Sequence, residues 1–475
     1  MMRRSAILLS ALMLSACSLA PKYVRVAPPV PTSWPVGDAY LIQSEASVPA
    51  ISYRDIFKDP RFQSLVEQAL ANNRDLRQAA ANLAAARAQV RVQRAQQFPE
   101  LVLNGTGSRS MGGTSNNAVT GTTINTPSRT AFALNAGISS FEIDLFGRLA
   151  SLTEAERQRA LGTEAAARTV RLGLVSDLAD AWSNYAADAE LLRIAQDTAK
   201  SATRSVELTR ARLQGGIAPR TDLRQAETIL ATAQADIAAQ TTALAQDVNL
   251  VRLLVGAPFD AALLPGRLDE VVQSVAVLPA GLSSEILLRR PDVLEAEYSL
   301  RAANAQIGVA RAALFPQLTL TGLLGFASNS LRTLFNSGSF TKSASGAASQ
   351  AIFSAGGVAA GVDVSKAQRD AALAAYEKAI QTAFREVADA LARQGTIADE
   401  LRASTTRVAA AADTAFLTEA RYKGGVDSYL QNLDAQRSLY SAQQQEIATR
   451  LTMVGNRITL YRTLGGDQAS VAATP

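Results

Sequence analysis

The sequence predicts a mainly α-helical chain that also carries a transmembrane β-barrel part, to which each chain contributes four β-strands. Three observations predict this class. Aromatic residues make up only 5% of the chain, and its abundant alanine favours long, closely packed helices. Apolar residues recur every three or four positions over about 65 residues, twice. Two Phe-Pro junctions each separate a helical pattern from a strand pattern with a period of two.

The N-terminus is predicted to be a lipoprotein signal peptide, residues 1–16. Arg3 and Arg4 precede a short apolar stretch that ends in the small residues of LSAC, whose Cys17 is the only cysteine. This pattern resembles a bacterial lipobox, in which Cys17 becomes the acylated first residue and the acyl chains anchor it to a membrane. Ser18 follows instead of an aspartate, which favours the outer membrane. The alternative is an ordinary secretory signal in which Cys17 is incidental.

Residues 17–57 are predicted to form a lipidated, Pro-rich and extended N-terminal arm. The rest of the chain is a duplication. Phe98-Pro99 aligns with Phe315-Pro316 at an offset of 217 residues, and RLQGGI aligns with RYKGGV at an offset of 209. We therefore expect repeat 1 at 58–265, repeat 2 at 266–466 and a flexible C-terminal tail at 467–475.

Each repeat is predicted to begin with a helix, at about 59–97 or 283–314, that ends at a helix-to-strand switch. The switches are Pro99 and Pro316, because proline removes a backbone donor and disfavours helix in the residue before it. A strand pair follows at about 100–143 or about 317–353. In repeat 1 a long polar loop, predicted to be exposed, separates the two strands.

A long helical hairpin completes each repeat. Its first helix, about 65 residues from Arg148 in repeat 1, would be roughly 100 Å long. It ends at the glycine pair Gly215-Gly216, or Gly424-Gly425 in repeat 2, because glycine readily adopts the left-handed conformation that terminates helices. The hairpin tips are expected at 215–222 and 424–431, followed by helices that end near Val255 and Leu464.

Four strands cannot close a barrel, because the smallest transmembrane barrels have about eight strands. Open strand edges in hydrocarbon would leave backbone amides unpaired, at a cost of several kcal/mol each. Three chains would pool twelve strands, and their helical hairpins would continue the ring as a periplasmic α-barrel of about twelve helices. The sequence therefore predicts a trimer.

The composition excludes several classes of function. The chain has no histidine and one cysteine, so histidine acid–base chemistry, Cys-His pairs, zinc sites and disulfide frameworks are absent. We expect no enzymatic activity, no cofactor, no metal and, at a formal charge of +5, no nucleic-acid partner. The main non-channel alternative is a structural coiled-coil lipoprotein that bridges the envelope.

Several blocks of the chain resemble the TolC-like outer membrane factors, most closely their lipidated OprM/NodT branch. They are CSLAPKYVRVAPPVPTSW, FKDPRFQSLVEQALANNRDL, FEIDLFGR, LLRRPDVLEAEYSLRAANAQIGVARAALFPQLTLTG and RYKGGVDSYLQNLDAQRSLYSAQQ. The resemblance implies a homotrimeric channel-tunnel with a mixed α/β equatorial region. It also implies an exit duct that docks onto a periplasmic adaptor and an inner-membrane transporter of the resistance-nodulation-division type, for small-molecule efflux. The alternative within the channel class is type I protein secretion.

The resemblance further implies a periplasmic gate at the hairpin tips, held by polar bonds and narrowed by aspartates. The matching residues are Thr221, Asp222, Tyr422, Asp427 and Asp434. Gln431 stands where some family members have an aspartate, which puts one of two possible acidic rings in doubt. The alternative is that Asp427 caps the returning helix and Asp434 lies on a solvated face.

Overall fold

A computed structural model describes residues 19–40, 52–116, 123–125, 127–278 and 284–466 of the chain. Cys17, the signal peptide and the tail at 467–475 lie outside the described residues, so what the sequence predicts for them stays a prediction. Among the helices that the structure describes, none is both long enough and apolar enough to cross a membrane.

The chain forms two compact units, each built from both repeats. The first contains Leu83–Thr163, Ala296–Tyr376 and the described N-terminal residues up to Val26. The second contains the described residues of Ala27–Asn82, Glu164–Glu295 and Glu377–Pro475. The repeats of the sequence are therefore not separate compact bodies.

The first unit contains an antiparallel sheet made of the four predicted strands. These are β1 (Leu101–Ser110), β4 (Arg129–Ile143), β5 (Gln317–Ser328) and β6 (Phe340–Ser349), adjacent in that order. The pairing of β4 with β5 joins the two repeats, with Leu134 opposite Phe326, and a bulge follows Ile138. The fourth strand is present although its sequence is poor in large apolar residues, because it pairs along its length with β5.

The polar stretch between β1 and β4 is not entirely loop. It contains β2 (Thr114–Asn116) and β3 (Thr123–Asn125), which pair antiparallel as a separate two-stranded sheet. Each of these strands has only three residues, too few to show a period of two in the sequence.

The α-helices among the described residues are numbered in chain order. They are α1 (Tyr53–Ile56), α2 (Pro60–Asn72), α3 (Arg74–Ala95), α4 (Arg148–Gln214), α5 (Arg220–Val255), α6 (Leu268–Ser274), α7 (Pro291–Ala312), α8 (Gly357–Lys423) and α9 (Tyr429–Thr463). Helices α4 and α8 each have 67 residues, as the long apolar periodicity predicts. Together with the sheet, they confirm a mainly helical chain with a smaller β part.

The prediction of a single helix at about 59–97 was wrong, because the chain breaks at Asn73 into two helices, α2 and α3. The backbone of Asn73 is extended, with ψ at 139°. Its side-chain amide donates to the Leu254 carbonyl at 2.9 Å and its oxygen accepts from the Leu76 amide at 3.0 Å. The break therefore caps α3 and ties it to α5. The helix predicted at about 283–314 in repeat 2 is also divided. A short 3₁₀ segment, Ser284–Arg289, precedes α7.

The helix-to-strand junctions are built alike in both repeats. The Phe98 amide donates to the Ala95 carbonyl at 3.0 Å, and the Phe315 amide donates to Ala312 at 3.1 Å. These i to i−3 bonds tighten the last turn of α3 and α7. The prolines that follow, Pro99 and Pro316, have no amide hydrogen to extend the helix, and strands begin within two residues.

The core of the second unit is aromatic where α2, α4 and α9 meet. Phe57 packs against Phe62 and Tyr461 with ring centroids 4.8 and 5.3 Å apart, and Phe62 packs against Trp182 at 5.4 Å. The Trp182 indole donates to the Leu263 carbonyl at 3.0 Å. Trp182 is therefore a packing residue.

Candidate functional site: the helical hairpin tips

The first hairpin tip joins α4 to α5 through the glycine pair. The Gly215 amide donates to the Ala211 carbonyl at 3.0 Å, and the Ile217 amide donates to the Arg212 carbonyl at 2.8 Å. Gly216 has a φ of +74°, in the left-handed region. The turn thus satisfies carbonyls that the end of α4 would otherwise leave unpaired.

The second tip, between α8 and α9, repeats this turn. The Gly424 amide donates to Ala420 at 3.0 Å, the Val426 amide donates to Arg421 at 2.9 Å, and Gly425 has a φ of +75°. The second glycine of each pair therefore carries the left-handed conformation. The duplicated sequence produces the same helix stop twice.

Apolar and aromatic side chains from both hairpins form one buried cluster behind the tips, the tip cluster. Its members are Val206, Leu223, Ala226, Tyr422, Tyr429 and Leu433. The Tyr422 and Tyr429 rings meet edge to face, with centroids 5.2 Å apart. Both hydroxyls are buried and have no hydrogen-bond partner among the described residues. Burial, together with Tyr422 and Asp222, raises the pKa of Tyr429 to about 12.

Arg212 joins the two tips. Its Nη1 donates to the Tyr422 carbonyl at 3.2 Å and its Nη2 donates to the Lys423 carbonyl at 3.1 Å. Its Cζ also lies 4.5 Å from the centroid of the Tyr422 ring, within the range of a cation–π interaction. The carbonyls belong to the C-terminal end of α8, where a positive charge is favoured. Sequence reasoning missed this residue.

Asp427 forms an ion pair within the second tip. Arg421 donates to both of its carboxylate oxygens, from Nε at 2.6 Å and from Nη2 at 2.9 Å. These hydrogen bonds hold the pKa of Asp427 below its usual range. The carboxylate is therefore bonded to Arg421, and the residue at the N-cap of α9 is Ser428. Capping by Asp427, one of the alternatives, is not what the structure shows.

The other predicted gate residues lie near the tips without joining the tip cluster. Thr221 is exposed and Asp222 is half-buried in the first turn of α5. Asp434 and Gln431 are exposed on α9. Within one chain, then, Tyr422 is brought together with Arg212 and Tyr429, while Asp434 is exposed and does not contact them.

A second polar contact joins the hairpins farther from the tips. The Tyr440 hydroxyl on α9 donates to Asp236 of α5 at 2.6 Å. Burial and the Asp236 carboxylate raise the pKa of Tyr440, so the tyrosine stays protonated. A cleft of about 360 Å³, lined by Ile229, Leu433 and Tyr440 among others, lies between this contact and the tips.

Comparison with known proteins identifies the family. The family described as outer membrane efflux protein matches residues 65–257 and 282–466, one stretch within each predicted repeat. The chain is 41% identical to the probable efflux pump outer membrane protein TtgC of Pseudomonas putida, over 96% of this chain and 94% of that protein. It is 38% identical to the cation efflux system protein CusC of Escherichia coli O157:H7, over 96% and 97% of the two chains.

Solved structures agree with this match. A membrane protein from Pseudomonas aeruginosa superimposes with a TM-score of 0.85 at 34% identity, over 94% of this chain and all of that one. The open state of the MtrE outer membrane channel of Neisseria gonorrhoeae gives a TM-score of 0.81 at 32% identity, over 95% and 98% of the two chains. The chain therefore belongs to the outer membrane efflux protein family and is an outer membrane channel protein that extends into the periplasm.

Proposed function

We propose that three copies of the chain form the exit duct of a tripartite efflux pump, through which small molecules leave the cell passively and without a cofactor. The proposal of a trimer depends on the four-stranded sheet, which does not close on itself within the part of one chain that the structure describes. Within the described residues of one chain, β1 and β6 each pair on one side only, and all ten residues of β6 are exposed. Three chains of four strands supply twelve, an even number that can close a barrel with no open edge.

The duct works with two partners, a periplasmic adaptor and an inner-membrane transporter of the resistance-nodulation-division type. The names of its relatives support small molecules as the cargo, since they include an antibiotic efflux pump protein, toluene efflux pump proteins and a cation efflux protein. The transporter supplies the energy, because the chain has no GxxxxGK[ST] phosphate loop.

Cys17 carries the acyl lipid that anchors the chain in the outer membrane. The proposal is supported by the LSAC sequence, which ends at Cys17, and by the absence of any other cysteine from the sequence. Labelled palmitate should be incorporated into the natural chain and not into Cys17→Ser. Incorporation into the serine variant would contradict the assignment.

The hairpin tips form the gate of the duct, with roles for Thr221, Asp222, Tyr422, Asp427 and Asp434. In a trimer, three exposed Asp434 carboxylates can face one another across the symmetry axis and form a constriction that attracts cations. Tyr422 acts differently, because it is buried between the hairpins and contacts Arg212. It sets how the two tips pack together.

Planar lipid bilayers test the duct and its gate together. We expect discrete, cation-selective conductance from the purified natural protein and a lower cation selectivity from Asp434→Asn. The control is Asp413→Asn, which removes an exposed aspartate from α8 and should leave the selectivity unchanged. Silence of both the natural protein and Asp434→Asn would contradict a channel, and equal selectivity in all three would contradict the acidic ring.

Deletion of the gene separates small-molecule efflux from protein secretion. We expect increased sensitivity to dyes, detergents and antibiotics, restored by the natural gene. Unchanged sensitivity together with the loss of a secreted protein would favour type I secretion instead.

A further inference from the structure

The described start of the N-terminal arm, residues 19–25, runs along α7 of repeat 2 and is bonded to it. The Arg311 guanidinium donates to the Leu19 carbonyl at 3.1 Å, and the Asn304 side chain donates to the Pro21 carbonyl at 2.7 Å. Later arm residues contact earlier positions of α7, so the two segments run in opposite directions. We call this stretch the arm segment.

A buried glutamate holds the other end of the arm segment. The Glu297 side chain is only 1% exposed, and its carboxylate accepts from Arg25 at 2.5 Å and from Arg301 at 2.6 Å. The Tyr23 hydroxyl donates to the same carboxylate at 3.2 Å. The Arg301 Cζ lies 4.8 Å from the centroid of the Tyr23 ring. Two arginines therefore neutralise a carboxylate that would be costly to bury alone.

Gly308 allows the arm backbone to approach the helix closely. A Cβ at this position would lie 2.8 Å from the Ala20 Cβ and 2.9 Å from the Ala20 amide nitrogen. Both separations are shorter than the contact distance of non-bonded heavy atoms. Any side chain at position 308 would therefore push the arm segment away.

The corresponding helix of repeat 1 lacks these features. At the offset of 217 residues, Gly308 corresponds to Arg91 and Glu297 corresponds to Ala80. An arginine thus stands where the arm needs a glycine, and no carboxylate is available for Arg25. None of the described residues of α3 is buried. Only one of the two duplicated helices can receive the arm.

We propose that α7 is an intramolecular binding groove for the arm, in which Glu297 positions the lipid-modified end of the chain beside the second helix-to-strand junction. Leu19 is held at Arg311, five residues before Pro316. Cys17 precedes Leu19 by two residues, and two extended residues span at most about 7 Å. The groove therefore sets where the acyl chains enter the membrane, an inference that rests on the proposed acylation of Cys17.

Trypsin cleavage after Lys22 tests the groove in the full-length, lipidated protein purified from outer membranes. Lys22 is exposed but lies between bonded residues, so cleavage requires the arm segment to detach. We expect Glu297→Gln to accelerate release of the lipidated peptide by at least about tenfold, because release follows the detached fraction. The matched control is Glu446→Gln, which removes a 12% exposed glutamate bonded to the arginine four positions later but far along the chain from the arm.

A second variant tests the same contact in case Glu297→Gln does not fold. Arg25→Ala removes a bond to Glu297 from the arm side, without changing any helix residue, and should also accelerate cleavage after Lys22. If trypsin cleaves after Lys22 at the same rate in the natural chain, Glu297→Gln and Arg25→Ala, whether that rate is fast or slow, the proposed groove is wrong. Palmitate labelling of the same samples separates the two proposals, since an unlabelled natural chain contradicts acylation, and a labelled chain with equal rates contradicts the groove alone.

Discussion

Replacing Arg212 by glutamine should loosen the contact between the two hairpin tips and increase channel opening. The variant loses a cation–π contact with Tyr422, worth about 0.5–1 kcal/mol near a surface, and weakens two hydrogen bonds to carbonyls of α8, together worth about 1 kcal/mol. We expect a loss of about 1.5–2 kcal/mol in each chain. Three chains in the proposed trimer lose about 4.5–6 kcal/mol, which changes the ratio of open to closed states by about a thousandfold or more.

Single-channel recordings in planar bilayers measure this ratio directly as open probability. The matched control is Arg210→Gln, which removes an exposed arginine two residues earlier, 3.8 Å from Glu227. Such a surface pair contributes little, so the control should behave like the natural protein. If Arg212→Gln and Arg210→Gln have the same open probability as the natural protein, the contact between the tips does not hold the gate.

Three further predictions follow from single residues. Gly425→Ala should destabilise the second tip by about 1–2 kcal/mol, because alanine is strained at the φ of +75° that Gly425 adopts. Gly424→Ala, the control, should cost much less. Similar decreases in melting temperature for the two variants would contradict the left-handed role of Gly425. Burial, opposed by Arg462, raises the pKa of Asp180 to about 6, so the native state binds more protons than the unfolded state and stability rises as the pH falls from 7 towards 4. Asp180→Asn should therefore stabilise the protein by up to about 3 kcal/mol at pH 8 and by little at pH 4; an equal gain at both would refute this. Burial alone would raise the pKa of Glu297, but its arginine partners outweigh burial and hold that pKa below its usual range. The arm segment should therefore stay bound down to about pH 4.3 and detach only below it, as measured by hydroxyl-radical footprinting of Tyr23; detachment near pH 6 would contradict the ion pairs.

The long helices, the glycine stops and the strands were predictable because each depends on neighbouring residues. Periodic apolar positions fix α4 and α8, and proline ends the helix before each strand. The second glycine of each pair adopts the left-handed conformation that the sequence suggested. These are local signals, so they needed no knowledge of the rest of the fold.

The features that the sequence did not reveal depend on partners far along the chain. The break at Asn73 is held by the carbonyl of Leu254, 181 residues later, and no proline or glycine marks it. Arg25 meets Glu297 across 272 residues. Such pairings depend on how the elements pack, which periodicity does not specify. Asp434 remains a predicted gate residue because its role requires other copies of the chain.

The asymmetry between the two duplicated tips explains why Arg212 is able to join them. Arg212 and Arg421 occupy equivalent positions at the offset of 209 residues, but the position of Asp427 is occupied in repeat 1 by Ala218. Arg421 is therefore paired within its own tip, whereas Arg212 has no such carboxylate and bonds the carbonyl of Tyr422.

Restoring the missing carboxylate tests this explanation. Ala218→Asp should draw Arg212 into an ion pair within the first tip, and it should raise the open probability in the same direction as Arg212→Gln. Combining both changes should add little to either one, because each removes the same contact. Fully additive effects would mean that Ala218→Asp acts elsewhere, and the asymmetry of the tips would then not account for the bond between them.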